Sequence, residues 1–409
     1  MLAWLSLGAL VIAMIVSCTT QLNVGVLALA LAWIVGVYAG GMRLEEVLSG
    51  FPVQLFLTLA GVTLLFTQAH LNGTLDRLAH ASVRVCRGNT GLIPVMFFLL
   101  ACAIASLGPG NVATAAMLAP MAMAVAARAT IPPFLMAIMV GNGAQSGSLS
   151  PFAPTGIIVN GLMEKIGLDG LEFRTYWTNL AAHAVVAFAG YLLLGGWRLF
   201  GREYTGGADD GDRTRFAMAH SLTMGTILAV LVAVLFLGSN IGMAAFAGAV
   251  VLAAIRVADH EQAIKRMPWI PILMVSGVSV LVALLEKTGG LDLFTELLAR
   301  FATPGTLTGM IAFITGIISV YSSTSGVVLP AFLPTVPGLI DRLGGDPFSV
   351  ASSMNIGAHL VDLSPLSTTG ALCIAAIASG ENIRSVFNKL LVWGLSMTVV
   401  GAIFCYIFF

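Results

Sequence analysis

Charge is what this sequence has least of. Only 9% of its 409 residues are Asp, Glu, Lys or Arg, where an ordinary soluble domain carries about 25%. Beside a hydrophobic share of 58%, that shortage excludes a soluble enzyme or a large extramembrane domain. Acid and base are balanced at 19 residues each, so there is no basic excess to hold nucleic acid. Cysteine is scarce as well. Cys18, Cys86, Cys102, Cys373 and Cys405 show neither metal-ligand spacing nor a paired pattern, so no disulfide framework, structural metal or cofactor is implied. No Lys or Arg precedes Arg43. The apolar run Leu2–Val16 is therefore expected to be a mature span, since a secretory leader needs a basic start. Extended polar chain is almost missing; the one clear stretch, 201–216, is expected to be a linker between two halves.

What the sequence does have is a repeat. GAQSGSLSPFAPTG begins at Gly143 and GAHLVDLSPLSTTG at Gly357, 214 residues later. Both read G-A-x4-L-S-P-x3-T-G inside otherwise apolar, membrane-length segments. An unbroken apolar helix is enough to cross a bilayer. A broken one frees backbone amides and carbonyls, which hydrocarbon tolerates only where they line a site. A small polar break occurring once per half is the pattern of a secondary transporter.

Apolar segments fall near 1–17, 22–41, 52–68, 92–127, 131–167 and 176–199, and again near 217–237, 240–256, 267–285, 305–340, 346–380 and 386–409. A core of about 30 Å takes about 20 helical residues. Residues 131–167 would make a helix of about 55 Å, so Gly141, Gly143, Gly147, Pro151 and Pro154 are read as breaking it. Gly357, Pro365 and Gly370 are read as doing the same for 346–380. SLGPGN (Ser106–Asn111) divides 92–127 into two arms of about 15 residues, each about 22 Å long and short of a crossing; YSSTSG (Tyr321–Gly326) divides 305–340 likewise. Re-entrant hairpins fit both. GVTLL at Gly61 is echoed by GVSVL at Gly277, and amphipathic stretches over 73–88 and 288–302 are expected to lie in the interface plane.

The expected fold is an all-α polytopic membrane protein of two repeats, 1–200 and 217–409. Each repeat has five spans, one re-entrant hairpin and one broken helix. Five is odd, so the repeats are inverted. The positive-inside rule then puts thirteen of the 19 Lys and Arg residues on one side. This orients both termini outward and the linker to the cytoplasm, in a cell inner membrane.

Two hairpin tips and two breaks should meet near the midplane. Unwound carbonyls and hydroxyls coordinate a cation, while free amides at half-helix N-termini attract carboxylates. The candidate cation ligands are Ser106, Gly110, Asn111, Gly143, Ser148, Ser323, Thr324, Gly357, His359 and Asp362. The candidate substrate contacts are Asn111, Ser150, Pro151, Thr155, Ser325, Ser364, Pro365, Thr368 and Thr369. Any one Ser or Thr among them is more often satisfied by its own backbone; the repetition of the motif favours function. His359 and Asp362 are the only ionisable residues deep in a break, and an intramembrane carboxylate is a functional candidate. Asp362 is placed to ligate a cation or carry a coupling proton; the alternative is that the pair shapes the loop. No Lys or Arg lies near a break, so an anion would be balanced by dipoles and co-bound cations.

NVATAAMLAP (Asn111–Pro120) resembles the first hairpin tip of the divalent anion/sodium symporter group within the ion-transporter superfamily. Gly110-Asn111-Val112 and Thr324-Ser325-Gly326 stand where that group has Ser-Asn-Thr. SGFPVQLFLTLAGVTLLF (Ser49–Phe66), GNTGLIPVMFFL (Gly88–Leu99) and GNGAQSGSLSP (Gly141–Pro151) more closely resemble the malonate/dicarboxylate carrier (MatC-type) family, over about residues 1–200. The resemblance implies a homodimer with a fixed scaffold and an elevator-like transport domain. It also implies a small C3–C4 dicarboxylate as substrate, with sodium or protons as coupling ion. A sodium/proton antiporter, or an oxyanion or arsenite transporter of the same superfamily, is the alternative. An intramembrane hydrolase built on His359, Asp362 and Ser364 is the remote third, because it leaves the first-half break unexplained.

Overall fold

Apolar runs without internal Gly-Pro breaks become single helices, and the runs with them become pairs. The computed structural model describes residues 1–409 except Gln21, Asp76, 78–88, 203–216 and 378–381. Most of the amphipathic stretch expected at 73–88, nearly all of the linker at 201–216 and the end of the 346–380 segment lie outside the described residues. Every regular element among the described residues is helical. The first half holds α1 (Leu2–Thr19), α2 (Val24–Ala39), a short α3 (Leu44–Leu48) and α4 (Val53–Leu71). The hairpin α5 (Leu92–Leu107) and α6 (Gly110–Arg128) follows, then α7 (Pro133–Gly147), α8 (Pro154–Lys165) and α9 (Glu172–Leu193).

The second half runs in the same order. It holds α10 (Met218–Leu237), α11 (Ile241–Ala254), the short α12 (His260–Arg266), α13 (Trp269–Thr288) and the amphipathic α14 (Gly290–Ala299). The hairpin α15 (Leu307–Tyr321) and α16 (Thr324–Leu343) follows, then α17 (Pro347–Leu360), α18 (Thr368–Ala375) and α19 (Ile383–Phe408). Local chemistry sets the boundaries alike in both halves. Asn23 caps α2 by accepting from the Gly25 and Val26 amides, and Asn240 caps α11 through the Met243 amide; an Asn side chain at this position satisfies an otherwise orphaned donor. Prolines open α7, α8 and α17, at the position where a missing N–H costs nothing.

One expectation needs correcting. The first arms of the hairpins are short, at 16 and 15 residues. The second arms are not: α6 has 19 residues and α16 has 20, long enough by length and composition to cross a membrane. α6 continues through Pro120. α16 continues by shifting from π to α to 3-10 geometry around Pro330, Pro334 and Pro337, which accommodates residues that cannot donate. The short helices α3 and α12 fall between the apolar segments read from the sequence. Their five and seven residues are too few to show a helical period.

Two helix crossings join the early spans of the halves. α2 packs on α13 and α4 on α11, each through a pair of glycines. A Cβ on Gly277 would overlap the Gly25 backbone, and one on Gly25 would overlap Leu273 and Met274. A Cβ on Gly61 would overlap the Gly242 carbonyl, and one on Gly242 would lie 2.6 Å from Thr58 Cα. The echoed glycines of GVTLL and GVSVL are thus the close-approach points of membrane helices, where small residues bring backbones together. One apolar core of buried residues spans these elements together with parts of α8, α16 and α17; a second gathers α5, α6, α7 and α9 with residues of α18 and α19.

Gly61→Val and Gly277→Val should each destabilise the detergent-purified protein by at least about 2 kcal/mol, lowering its melting temperature or its monodispersity on gel filtration. Gly8→Ala on α1, where a Cβ meets nothing within 4 Å, should leave both unchanged. Wild-type melting of Gly277→Val would show that α2 and α13 do not meet at these glycines.

Candidate functional site

The two breaks are built the same way. After α7 the chain turns through 148–153, and after α17 through a 3-10 turn, Val361–Leu363, and on to Ser367. In each, the re-entering helix lies against the break's own carbonyls. A Cβ on Gly156 would overlap the Ser150 carbonyl, and one on Gly370 the Ser364 carbonyl. The closing glycine of the repeated motif is therefore a contact glycine. The freed backbone is satisfied locally. Ser148 Oγ donates to the Gln145 carbonyl at 2.7 Å, and the Gly156 amide to the Ser148 carbonyl at 2.9 Å. Ser367 Oγ donates to the carbonyls of Asp362 and Ser364 and accepts from the Gly370 amide.

Between the breaks lies a buried polar cluster drawn from both halves. Gln145 Nε2 donates to Asp362 Oδ2 at 3.2 Å and to Thr369 Oγ1 at 3.4 Å. Gln145 Oε1 accepts from Asn111 Nδ2 at 3.0 Å. Thr324 Oγ1 donates to Asp362 Oδ1 at 2.7 Å. Ser319 Oγ stands against Thr324 Oγ1; with the Thr324 proton committed to Asp362, Ser319 is the donor. Gln145, Asp362, Thr324 and Thr369 are all buried, and Asn111 is half-buried.

This arrangement brings helix N-termini together. Asn111 stands on the first turn of α6, Thr324 on that of α16 and Thr369 on that of α18. Pro154, which opens α8, lies against Gly110: a Cβ there would be 3.0 Å from Pro154 Cδ. α18 also packs on α6, and α8 on the start of α16. Each N-terminus carries about half a positive charge, so four of them surround Asp362. No Lys or Arg belongs to the cluster. The site can hold an anion on amide donors and a cation on Asp362 with its neighbouring hydroxyls.

Of the residues singled out from the sequence, Asn111, Thr324, Asp362 and Thr369 meet in this cluster. Ser106 and Ser150 meet beside it, Ser150 Oγ donating to the Ser106 carbonyl at 2.7 Å and tying the first break to the first hairpin. Gly110 lies at the start of α6. Ser323 caps α16 through the Gly326 amide, and Ser364 Oγ accepts from the Leu366 amide at 3.3 Å. Pro151 and Ser325 are half-buried, Thr155 and Pro365 are buried, and Thr368 is exposed. Gly143 and Gly357 lie inside α7 and α17, where a Cβ would overlap the backbones of Phe98 and Ala312; they are helix crossings ahead of the breaks. His359 donates from Nδ1 to the Asn355 carbonyl at 2.8 Å and makes no bond to Asp362.

Sequence reasoning noted Gln145 only as the first-half position equivalent to His359 and left it out of the site, although it is the residue that links the halves. It passed over Asn142, Asn179 and His183. Asn179 Nδ2 donates to the Gln145 carbonyl at 2.9 Å, and His183 Nδ1 lies 3.0 Å from Asn142 Oδ1. The available signal was an Asn and a His four residues apart in an apolar span, on one helical face.

Comparison with known proteins fits this geometry. Residues 1–148 match the family model described as dicarboxylate carrier protein MatC N-terminus. No curated protein matches the chain, whereas 24 chains of solved structures do. The YdaH transporter of Alcanivorax borkumensis, described as having an unusual topology, is similar with a TM-score of 0.58 and 16% identity, over 91% of this chain and 88% of that one. MtrF of Neisseria gonorrhoeae, described as illuminating a class of antimetabolite efflux pumps, gives 0.60 and 12% identity over 91% and 83%. At these identities the likeness is one of fold. The matched family and both structures are transporters, not enzymes. The resemblance read from the sequence is borne out over residues 1–148: the comparisons support a multi-pass membrane transporter, and that part of the chain is similar to the N-terminus of the MatC dicarboxylate carriers.

Proposed function

We propose that the protein is a secondary active transporter importing a small C3–C4 dicarboxylate, of the malonate, succinate or malate type, coupled to sodium or protons. The observation that carries this reading is the gathering of four helix N-termini around a buried Asp362 with no basic side chain in the cluster. Free amides at helix starts suit carboxylates, and a lone carboxylate beside hydroxyls suits a cation that enters with the anion. The carrier-family match over residues 1–148 supports the substrate class. An antiporter or oxyanion transporter would use the same fold, but no second titratable group enters the Asp362 cluster to favour either.

The architecture proposed with it is a pair of inverted repeats, 1–200 and 217–409. The common order of elements and the reciprocal crossings α2 on α13 and α11 on α4 support it. The spans 1–68 and 217–285, with interfacial helices 73–88 and 288–302, form the scaffold. The hairpins 92–127 and 305–340, the broken helices 131–167 and 346–380, and the spans 176–199 and 386–409 move as an elevator. A homodimer in an inner membrane, with both termini outside and the linker in the cytoplasm, follows from the family resemblance and the charge distribution.

A ligand that binds only the folded state raises its melting temperature. The purified protein should be stabilised by one or a few short dicarboxylates, and more in sodium than in choline, or more at low than at high pH. Indifference to every dicarboxylate, with a response to sodium or pH alone, would favour the antiporter. Asp362→Asn should weaken dicarboxylate binding at saturating sodium at least about tenfold, the size of one charge-assisted hydrogen bond. Gln145→Ala should do likewise by releasing Asn111 and Thr369. Unchanged titrations in both variants would move the site elsewhere.

A further inference from the structure

A second buried polar cluster lies beside the Asp362 site, between α7, α9 and α17. On α9 it is built from Asn179 and His183, four residues apart; on α17, from Asn355 and His359, also four apart. These spacings place each pair on one helical face, and α9 packs on both α7 and α17. All four side chains are at most 1% exposed. The two imidazoles stand on α9 and α17, the helices that pack together here.

The hydrogen bonds fix what each side chain presents. His359 Nδ1 is 2.8 Å from the Asn355 carbonyl, which can only accept, so the ring proton is on Nδ1 and Nε2 is a bare lone pair. His183 Nδ1 is 3.0 Å from Asn142 Oδ1, and that amide is oriented by Asn142 Nδ2 donating to the Ile138 carbonyl at 3.0 Å. His183 Nε2 is therefore also a lone pair. Asn179 Nδ2 is committed to the Gln145 carbonyl, and Asn355 Nδ2 points at the Met163 thioether at 4.0 Å, which leaves both Oδ1 atoms as acceptors. All four free atoms, His183 Nε2, His359 Nε2, Asn179 Oδ1 and Asn355 Oδ1, are buried without a hydrogen-bond partner. Ser352 Oγ, one turn along α17 from Asn355, is unpartnered as well.

Four buried acceptors with no donor among them are a costly arrangement when empty. Imidazoles whose Nδ1–H is anchored on a carbonyl while Nε2 stays free have the orientation of cation-ligating histidines. We propose that this seam is a second cation site, holding one monovalent cation, sodium or a proton, next to the Asp362 cluster. The ligands are all neutral, so a divalent ion would leave one buried charge uncompensated even with Asp362 ionised, whereas a single charge is balanced by Asp362. The two sites are joined through Gln145, whose carbonyl accepts from Asn179 while its Nε2 donates to Asp362. Among the described residues no other charged side chain reaches the seam. α7 and α15 contain none; Lys165, Arg174, Arg384 and Lys389 are exposed, and Glu164 and Glu172 sit at helix ends. Arg174 is occupied over the Phe348 ring at 4.0 Å. The proposal deepens the cation-coupled reading above and gives it a second coupling position.

The test uses the full-length protein in detergent without dicarboxylate, so it stands apart from the substrate reading. Melting temperature is read in sodium against choline at fixed pH, and across pH in choline. A rise in the first series identifies sodium, and a rise toward low pH in the second identifies a proton. Asp362→Asn should keep part of the rise. Asn355→Leu removes one ligand and should shift the cation titration at least about tenfold, the size of one lost buried contact. His359→Gln brings an N–H donor into the seam in place of the cation. It should melt higher than wild type in choline at high pH and respond less to either cation. Both variants are read by cation response rather than absolute stability, so a merely less stable protein still reports. No response in either series, or a response that vanishes with Asp362→Asn alone, would overturn the second site; the dicarboxylate reading would stand in either case.

Discussion

A helix interrupted inside hydrocarbon has to satisfy the backbone groups it frees, and the rest of this structure follows from how that is done. At each of the two breaks the chain folds against its own carbonyls. Gly156 and Gly370 have no side chain because the re-entering helix touches Ser150 and Ser364. Ser148 and Ser367 take up the exposed carbonyls. What the local turn leaves at the site is the dipole of each re-entering helix start, only part of whose amides it takes up. Those starts, with the hairpin starts at Gly110 and Thr324, are turned toward one another. The breaks therefore create a concentration of amide dipoles at membrane depth without a basic residue.

Within that field a single carboxylate connects the halves. Asp362 belongs to the second half, accepts from Thr324 of the same half and is held by Gln145 of the first, 217 residues away in sequence. Gln145 in turn holds Asn111. A movement that separated the hairpins from the broken helices would break this chain of bonds, so the cluster fixes the relative position of these parts. The Gly25–Gly277 and Gly61–Gly242 crossings do the corresponding work on the other side of the molecule. There, close backbone contact holds α2 to α13 and α4 to α11.

Much of this was legible in the sequence. The repeated LSPxxxTG motif located both breaks, because Pro and Gly in an apolar run have few other meanings at that depth. SLGPGN and YSSTSG located both hairpin turns. The length of the second hairpin arms was not legible, because SLGPGN and YSSTSG were left out of the arms whereas Gly110 and Thr324 within them already belong to the helices. The role of Gln145 was hidden for a different reason. Its motif position was visible, but its partner lies across the repeat, and a contact over that separation leaves no local spacing. Asn179 and His183 were missed because a single Asn or His in an apolar span is usually satisfied within its own helix. Here both side chains reach across to α7.

The central claim is that dipoles and one carboxylate, rather than a basic clamp, carry an anion together with a cation. Uptake of radiolabelled malonate or succinate into proteoliposomes tests it most directly, with an inward sodium gradient, an inward proton gradient, or neither. The account predicts accumulation above equilibrium under one of the two gradients in wild type, and none in Asp362→Asn. Equal uptake in all three conditions, or gradient-driven accumulation that survives in Asp362→Asn, would contradict it.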